Sequence, residues 1–276
     1  MRVTEVPQPE GVALEAPWRW PVIELVAGRH ALLEGEFTQP WYQGRGAYGG
    51  VLAALCVHAM ELVEPARALR TFTLHCLNPA LMGLGRVKAE LISSGGRVSH
   101  LRAQLWAGET PVGHASATFA LPRKSGLMRD AEPAPPVPLP HEVPEVPAGI
   151  PFVPEFTKQL SYRYCLGGLP YSGAQTPMLG GWCDFRAGFE VDYPMIAALL
   201  DVWPPAMFAS LRAPLVAASV DLSYHLLSTD LSALKRPFLY KGESLSIVEG
   251  YAEERDWLWD ASGTPVAVAR QLIALG

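Results

Sequence analysis

Apolar and polar residues take turns along Arg97-Val98-Ser99-His100-Leu101-Arg102-Ala103-Gln104-Leu105. That is the period of a strand with one face buried and one wet. Comparable runs predict strands near residues 31–38, 69–77, 85–94, 97–107 and 111–121. The turns between the later ones, at 79–83, Ser94-Gly95-Gly96 and Ala107-Gly108-Glu109, have the spacing of an antiparallel meander. A Gly-rich turn at 43–50 leads into a stretch, 50–63, that breaks the alternation. It is apolar on nearly every side, which predicts a helix enclosed by protein, ending before Pro65.

The same order returns further along. Strands are predicted near 158–166 and 178–187, and a helix over 194–202 disturbed or ended at Pro204-Pro205. Strands then follow near 215–227, 243–253, 256–260 and 265–274. The ends of the two stretches, 109–121 and 263–275, are identical at six of thirteen aligned positions. Each stretch also has one apolar helix opened by a tyrosine, Tyr48-Gly49-Gly50-Val51 and Tyr193-Pro194-Met195-Ile196. The chain reads as one α+β unit present twice: a first domain over 1–129, a proline-rich linker over 130–154 and a second domain over 155–276. Duplication creates an internal interface, and sites tend to form at such interfaces.

Prolines 133, 135, 136, 138, 140, 144, 147, 151 and 154 rule out helix or central strand in the linker. It is expected to run as an extended, semi-rigid connector; the other reading is a ligand for a proline-reading module.

Composition narrows the classes. Hydrophobic residues make up 49 % and charged residues 18 %, enough to bury a large core. A net charge of -5 gives no overall pull toward nucleic acid or an anionic membrane. A local basic patch around Lys235, Arg236 and Lys241 is a candidate contact for a polyanion. Cys56, Cys76, Cys165 and Cys183 form no C-x-x-C pair and have no histidine at ligand spacing beside them. Buried thiols are the expected reading, with no metal and no disulfide framework. Residues 1–22 lack the basic start and apolar run of a secretory leader. The longest apolar run, 51–63, is too short to span a bilayer and carries His58 and Glu61. A cytoplasmic location is expected.

The Gly49-Gly50 helix start, the run 69–79 followed by 97–119, the Gly181-Trp182 strand, the Asp201 helix, Ser219-Val220-Asp221-Leu222-Ser223 and the final strand with Gln271 carry a resemblance. In this order the chain resembles the acyl-CoA thioesterase II type of double hot-dog protein. The likeness covers nearly everything but the first ~20 residues and the linker. It implies two antiparallel sheets, each wrapped around a central apolar helix. It implies hydrolysis of acyl-CoA to free acid and coenzyme A, with no cofactor. The catalytic trio it implies is Asp201, Ser219 and Gln271, which together hold and activate a water. Serine at 219 replaces the family's frequent threonine and keeps the hydroxyl. Val51 replaces a frequent glutamine after the glycine pair, removing one side-chain donor.

That trio suits thioester hydrolysis, which needs a nucleophile, a proton acceptor and a stabiliser of the oxyanion. An Asp following Met195-Ile196-Ala197-Ala198-Leu199-Leu200 is desolvated and so becomes a better base; the alternative is a cap on the turn at Trp203-Pro204-Pro205. No histidine stands in a triad-like context with Ser219, which favours attack by water. The oxyanion and substrate contacts are expected from Gly49, Gly50 and Val51, at a helix start carrying partial positive charge. Asp221 and Ser223 follow Ser219 by twos and are expected on its face. His58 reads as a buried, satisfied histidine. Sliding the halves together places Cys56 opposite Asp201 and Ala117 opposite Gln271, with Thr71 or Thr73 opposite Ser219. One competent site per chain is therefore expected. The competing reading is a non-catalytic acyl or acyl-CoA binding module on the same fold. Monomer and homo-oligomer both fit, because a duplicated chain already supplies its own pairing.

Overall fold

The computed structural model describes residues 15–127, 129–150 and 153–276. Most of the N-terminal stretch read as lacking a leader, residues 1–14, lies outside them. In chain order the first half holds β1 (Val22–Val26), β2 (His30–Phe37), β3 (Tyr42–Gln43), β4 (Gly46–Ala47), α1 (Gly49–Val63), β5 (Ala68–Cys76), β6 (Gly83–Ser94), β7 (Val98–Ala107) and β8 (Thr110–Ala120). The second holds β9 (Leu160–Gly167), β10 (Met178–Phe185), α2 (Tyr193–Leu199), β11 (Ala217–Leu226), β12 (Phe238–Val248), β13 (Tyr251–Trp259) and β14 (Pro265–Leu275).

Two separate sheets were expected, and the strands form one. Twelve run β1-β2-β6-β7-β8-β5-β11-β14-β13-β12-β10-β9, each antiparallel to its neighbours. The order reads the same from both ends once the halves are matched. The join is β5 against β11, where Thr73 faces Ser223 and their hydroxyls hydrogen-bond at 3.0 Å. Two half-sheets ending in complementary unpaired edges satisfy their backbone groups by pairing.

Helix α1 packs across β2, β6, β7 and β8 and against α2. Its residues from Gly50 to Met60 are all buried, as the absence of a polar face demands. Helix α2 is half as long. Proline at its first turn and the Asp192 carboxylate, accepting from Met195 N–H at 2.7 Å, start it cleanly. It stops at Leu199, and Asp201 lies in the turn that follows, not within the helix as predicted. Pro204 and Pro205 prevent another helical turn.

The boundary predicted between residues 243–253 and 256–260 also moves. The hairpin turns at Glu249-Gly250, both with positive φ, 52° and 81°. A two-residue loop of that geometry matches the twist of the flanking strands.

The proline-rich segment is no free tether. The indole of Trp182 donates to Pro138 O and that of Trp259 to Glu132 O, both at 2.9 Å. Arg163 donates to Val143 O at 2.6 Å, and Val146 N–H to Tyr162 O at 2.8 Å. Val143 packs with Trp182, Leu239 and Trp259 in a small apolar cluster on the outer face of β9, β10, β12 and β13. The prolines thus cover a sheet face that would otherwise be wet.

Candidate active site

The turn after α2 delivers Asp201 to the start of α1. Gly49 and Gly50 permit this by what they lack. A Cβ on Gly49 would lie 2.6 Å from Asp201 Oδ2, and one on Gly50 would lie 2.5 Å from Ala198 O. Neither has positive φ, so close approach, not an unusual turn, requires both. Tyr48, the residue capping α1, offers no side-chain bond to the helix start. The Gly50 amide faces the Asp201 carboxylate of the other half and favours its charged form.

Gln271 on β14 donates from Nε2 to Asp201 Oδ1 at 3.0 Å, and Ser219 Oγ donates to Gln271 Oε1 at 3.2 Å. The three line one cleft of about 130 Å³. Burial pushes the Asp201 carboxyl up to about 6, against the opposing pull of the Gln271 and Gly50 donors. Ser219 donates into an amide oxygen, which is no base.

A β-bulge explains how Ser219 reaches the cleft. Ser219 pairs with Ile273 and Asp221 with Leu272, leaving Val220 as the extra residue. The bulge turns Ser219 to the inner face, with Gln271. Asp221 and Ser223 do not share that face, contrary to a strict period of two. Asp221 instead accepts from Leu272 N–H at 3.0 Å, beside the bulge.

The first half has the same bulge. Leu69 pairs with Phe119 and Thr71 with Thr118. With Ala117 matched to Gln271, the counterpart of Ser219 is Leu69. Thr71 and Thr73, the predicted candidates, correspond to Asp221 and Ser223. The pseudo-equivalent site therefore consists of Cys56, Leu69 and Ala117, all buried.

Residues 37–120 match the acyl-CoA thioesterase N-terminal domain, and residues 131–275 match the acyl-CoA thioesterase C-terminal domain. The chain belongs to the acyl-CoA thioesterase family. The C-terminal match takes in nearly the whole proline-rich segment. Solved structures show the fold. A hot-dog protein of unknown function from Alicyclobacillus acidocaldarius superposes with a TM-score of 0.83 at 20 % identity, over 95 % of this chain and 99 % of its own. The TesB protein of Mycobacterium avium subs paratuberculosis gives 0.74 at 15 % identity, covering 94 % and 97 %. The acyl-CoA thioesterase II TesB2 of Mycobacterium marinum gives 0.71 at 16 %, covering 93 % and 96 %. No curated protein matches the sequence.

Several expectations for this thioesterase-family chain are revised by the geometry. The Val51 side chain is packed in the core and its amide donates to Tyr48 O, so Val51 makes no wall of the cleft. Gly49 and Gly50 of the predicted group stand beside the Asp201 carboxylate. Of Lys235, Arg236 and Lys241, Lys235 is exposed and the other two are engaged within the chain. Arg236 is bound to Asp184 and to Phe189 O, and Lys241 Nζ sits 4.5 Å above the Trp257 ring, near Glu132 and Glu243. His58 is buried, hydrogen-bonded to Arg19, and lowered to about 4 by burial and the Arg19 charge. The four cysteines are free thiols. Among the described residues no helix is long and apolar enough to cross a membrane.

The sequence reading missed Glu254, a buried carboxylate in the same cleft. It pairs across the sheet with Gln271 and accepts from Ala206 N–H at 2.6 Å. Asp256, on the same face, accepts from Tyr240 OH at 2.6 Å. Burial and the repulsion of Asp256 raise Glu254 well above the usual carboxylate range. Two acids two apart on a strand facing Gln271 were the available clue.

Proposed function

We propose that the protein hydrolyses acyl-CoA thioesters by direct attack of water, with Asp201 as general base. The observation that carries this is the chain Ser219–Gln271–Asp201 in one cleft, with the start of α1 against the Asp201 carboxylate. Water held between Asp201 and Ser219 loses a proton to Asp201 as its oxygen bonds to the thioester carbon. The C–S bond then breaks, and the proton passes from Asp201 to the departing sulfur. Free acid and coenzyme A result. Gln271 fixes the Asp201 carboxylate through Nε2, and Ser219 fixes Gln271 through Oε1. The positive end of α1, with the Gly49 amide, stabilises the developing oxyanion; such a donor contributes on the order of 3 kcal/mol. The architecture that serves this chemistry is a double hot-dog whose two helices meet at the site.

The test is Asp201→Asn, assayed by free-thiol release from a panel of acyl-CoAs and by equilibrium binding of a non-hydrolysable acyl-CoA thioether. Loss of turnover with retained binding is the expected result. A wild-type protein that binds the thioether yet cleaves no thioester would make the chain a binding module instead.

A further inference from the structure

A second pocket adjoins the cleft around Asp201. Gln43, Trp203, Pro205 and Phe208 line the cleft on one side and this larger pocket on the other. That pocket holds about 280 Å³. Its inner wall is aromatic. Trp203 meets Tyr162 edge-on at 5.3 Å and Tyr164 at 4.8 Å, and Tyr162 OH is satisfied by Val202 O at 2.8 Å. Among the described residues no Asp, Glu, Lys or Arg lines it. Its outer wall comes from the proline-rich segment, which turns at Gly149 with φ 79°. Ile150 and Val153 of that segment are 42 % and 43 % exposed.

We infer that this pocket takes the hydrocarbon tail of the acyl group, and that the inter-domain segment sets the length accepted. The inference rests on the hydrolase reading for the position of the thioester. Its independent support is the wall shared with the Asp201 cleft and the absence of any charge that could greet a nucleotide. The volume bounds the tail. At roughly 30 Å³ per water-sized group, the pocket holds on the order of nine such groups. The substrate class is a medium-length acyl-CoA of about eight to twelve carbons.

In a hydrolysis panel from butyryl- to palmitoyl-CoA, kcat/KM of the wild type should peak within the medium range. Ala148→Trp and Val153→Trp place an indole on the outer wall from two positions. Each should lower the decanoyl-to-butyryl ratio of kcat/KM at least about tenfold, as expected when methylenes lose their pocket. Val153→Ala should shift the peak toward longer chains. A ratio unchanged in both tryptophan variants, with hydrolysis intact, would overturn the pocket assignment and leave the hydrolase reading standing. Decanoate binding, followed by quenching of tryptophan fluorescence, separates the converse case. Binding weakened by Val153→Trp in a protein that cleaves no thioester would uphold the pocket and sink the hydrolase reading. Binding indifferent to both variants would sink the pocket as well.

Discussion

The two helix starts of this chain meet opposite fates. The start of α2 is closed by its own half: Asp192 takes the Met195 amide, and proline occupies the first turn. The start of α1 has no side-chain cap of its own, and the Asp201 carboxylate of the other half lies against it. The residues that would serve a second site are Cys56, Leu69 and Ala117, which fill space. Helix length makes the difference possible. α1 runs on for two turns past Cys56, holding it in a continuous helix, whereas α2 stops before Asp201 and lets it turn outward. A repeated unit becomes an asymmetric one when a helix is shortened in one copy and a cap is removed in the other.

The largest effect should come from Asp201→Asn. Removing the base should lower kcat/KM by about 10²–10⁴, read by thiol release. Next comes an attempt to restore symmetry. Cys56→Asp puts a carboxylate inside a continuous, apolar helix with no partner. It should cost about 3–5 kcal/mol in denaturant unfolding and create no second activity. Two binding equivalents per chain in that variant would break the comparison.

The adjacent glycines should then separate. A Cβ at Gly49 meets only the tip of the Asp201 side chain, so Gly49→Ala should displace the carboxylate. Activity should fall by up to about 10² with little change in stability. A Cβ at Gly50 meets Ala198 backbone, so Gly50→Ala should cost about 1–3 kcal/mol. A glycine pair needed only for chain flexibility would not show this split.

The pH dependence is gentler. Asp201 must be ionised to accept a proton, so kcat/KM should fall about tenfold per pH unit below about 6. Its folded-state value lies above the ordinary 3.8, so ionisation opposes folding. Stability should decline as pH rises between those values, by at most ~3 kcal/mol. In Asp201→Asn that decline should be absent, which isolates it from the Glu254–Asp256 pair. The smallest effect belongs to the central seam. Thr73→Val removes one hydroxyl pair and should cost about 1 kcal/mol, with the activity of the single site retained.

The alternation of 97–105, the all-round apolarity of 50–63 and the matched ends of the halves were enough to place most strands and both helices. Asp201, Ser219 and Gln271 came forward as a set through the family likeness, not through these patterns. What escaped depends on tertiary detail. The bulge at Val220 leaves no mark in composition, yet it decides that Ser219 faces inward and Asp221 does not. Where α2 stops is decided by packing and prolines together, so Asp201 was placed inside a helix. Glu254 escaped because a charged residue on a strand is ordinarily solvated, and only the fold reveals that this one is enclosed. The proline-rich segment, expected to be extended throughout, makes a short 3-10 turn at Pro140–Glu142. Its docking depends on two tryptophans, Trp182 and Trp259, distant in sequence, whose indoles need acceptors when buried.

That docking bears on how the halves find each other. Two separate chains would have to meet by diffusion, and the shared seam between β5 and β11 would weaken on dilution. A covalent tether replaces that encounter with an effective concentration on the order of millimolar. Pinning the tether narrows the search further. The site assembled from both halves should therefore persist at protein concentrations far below those at which a pair of unlinked units would part.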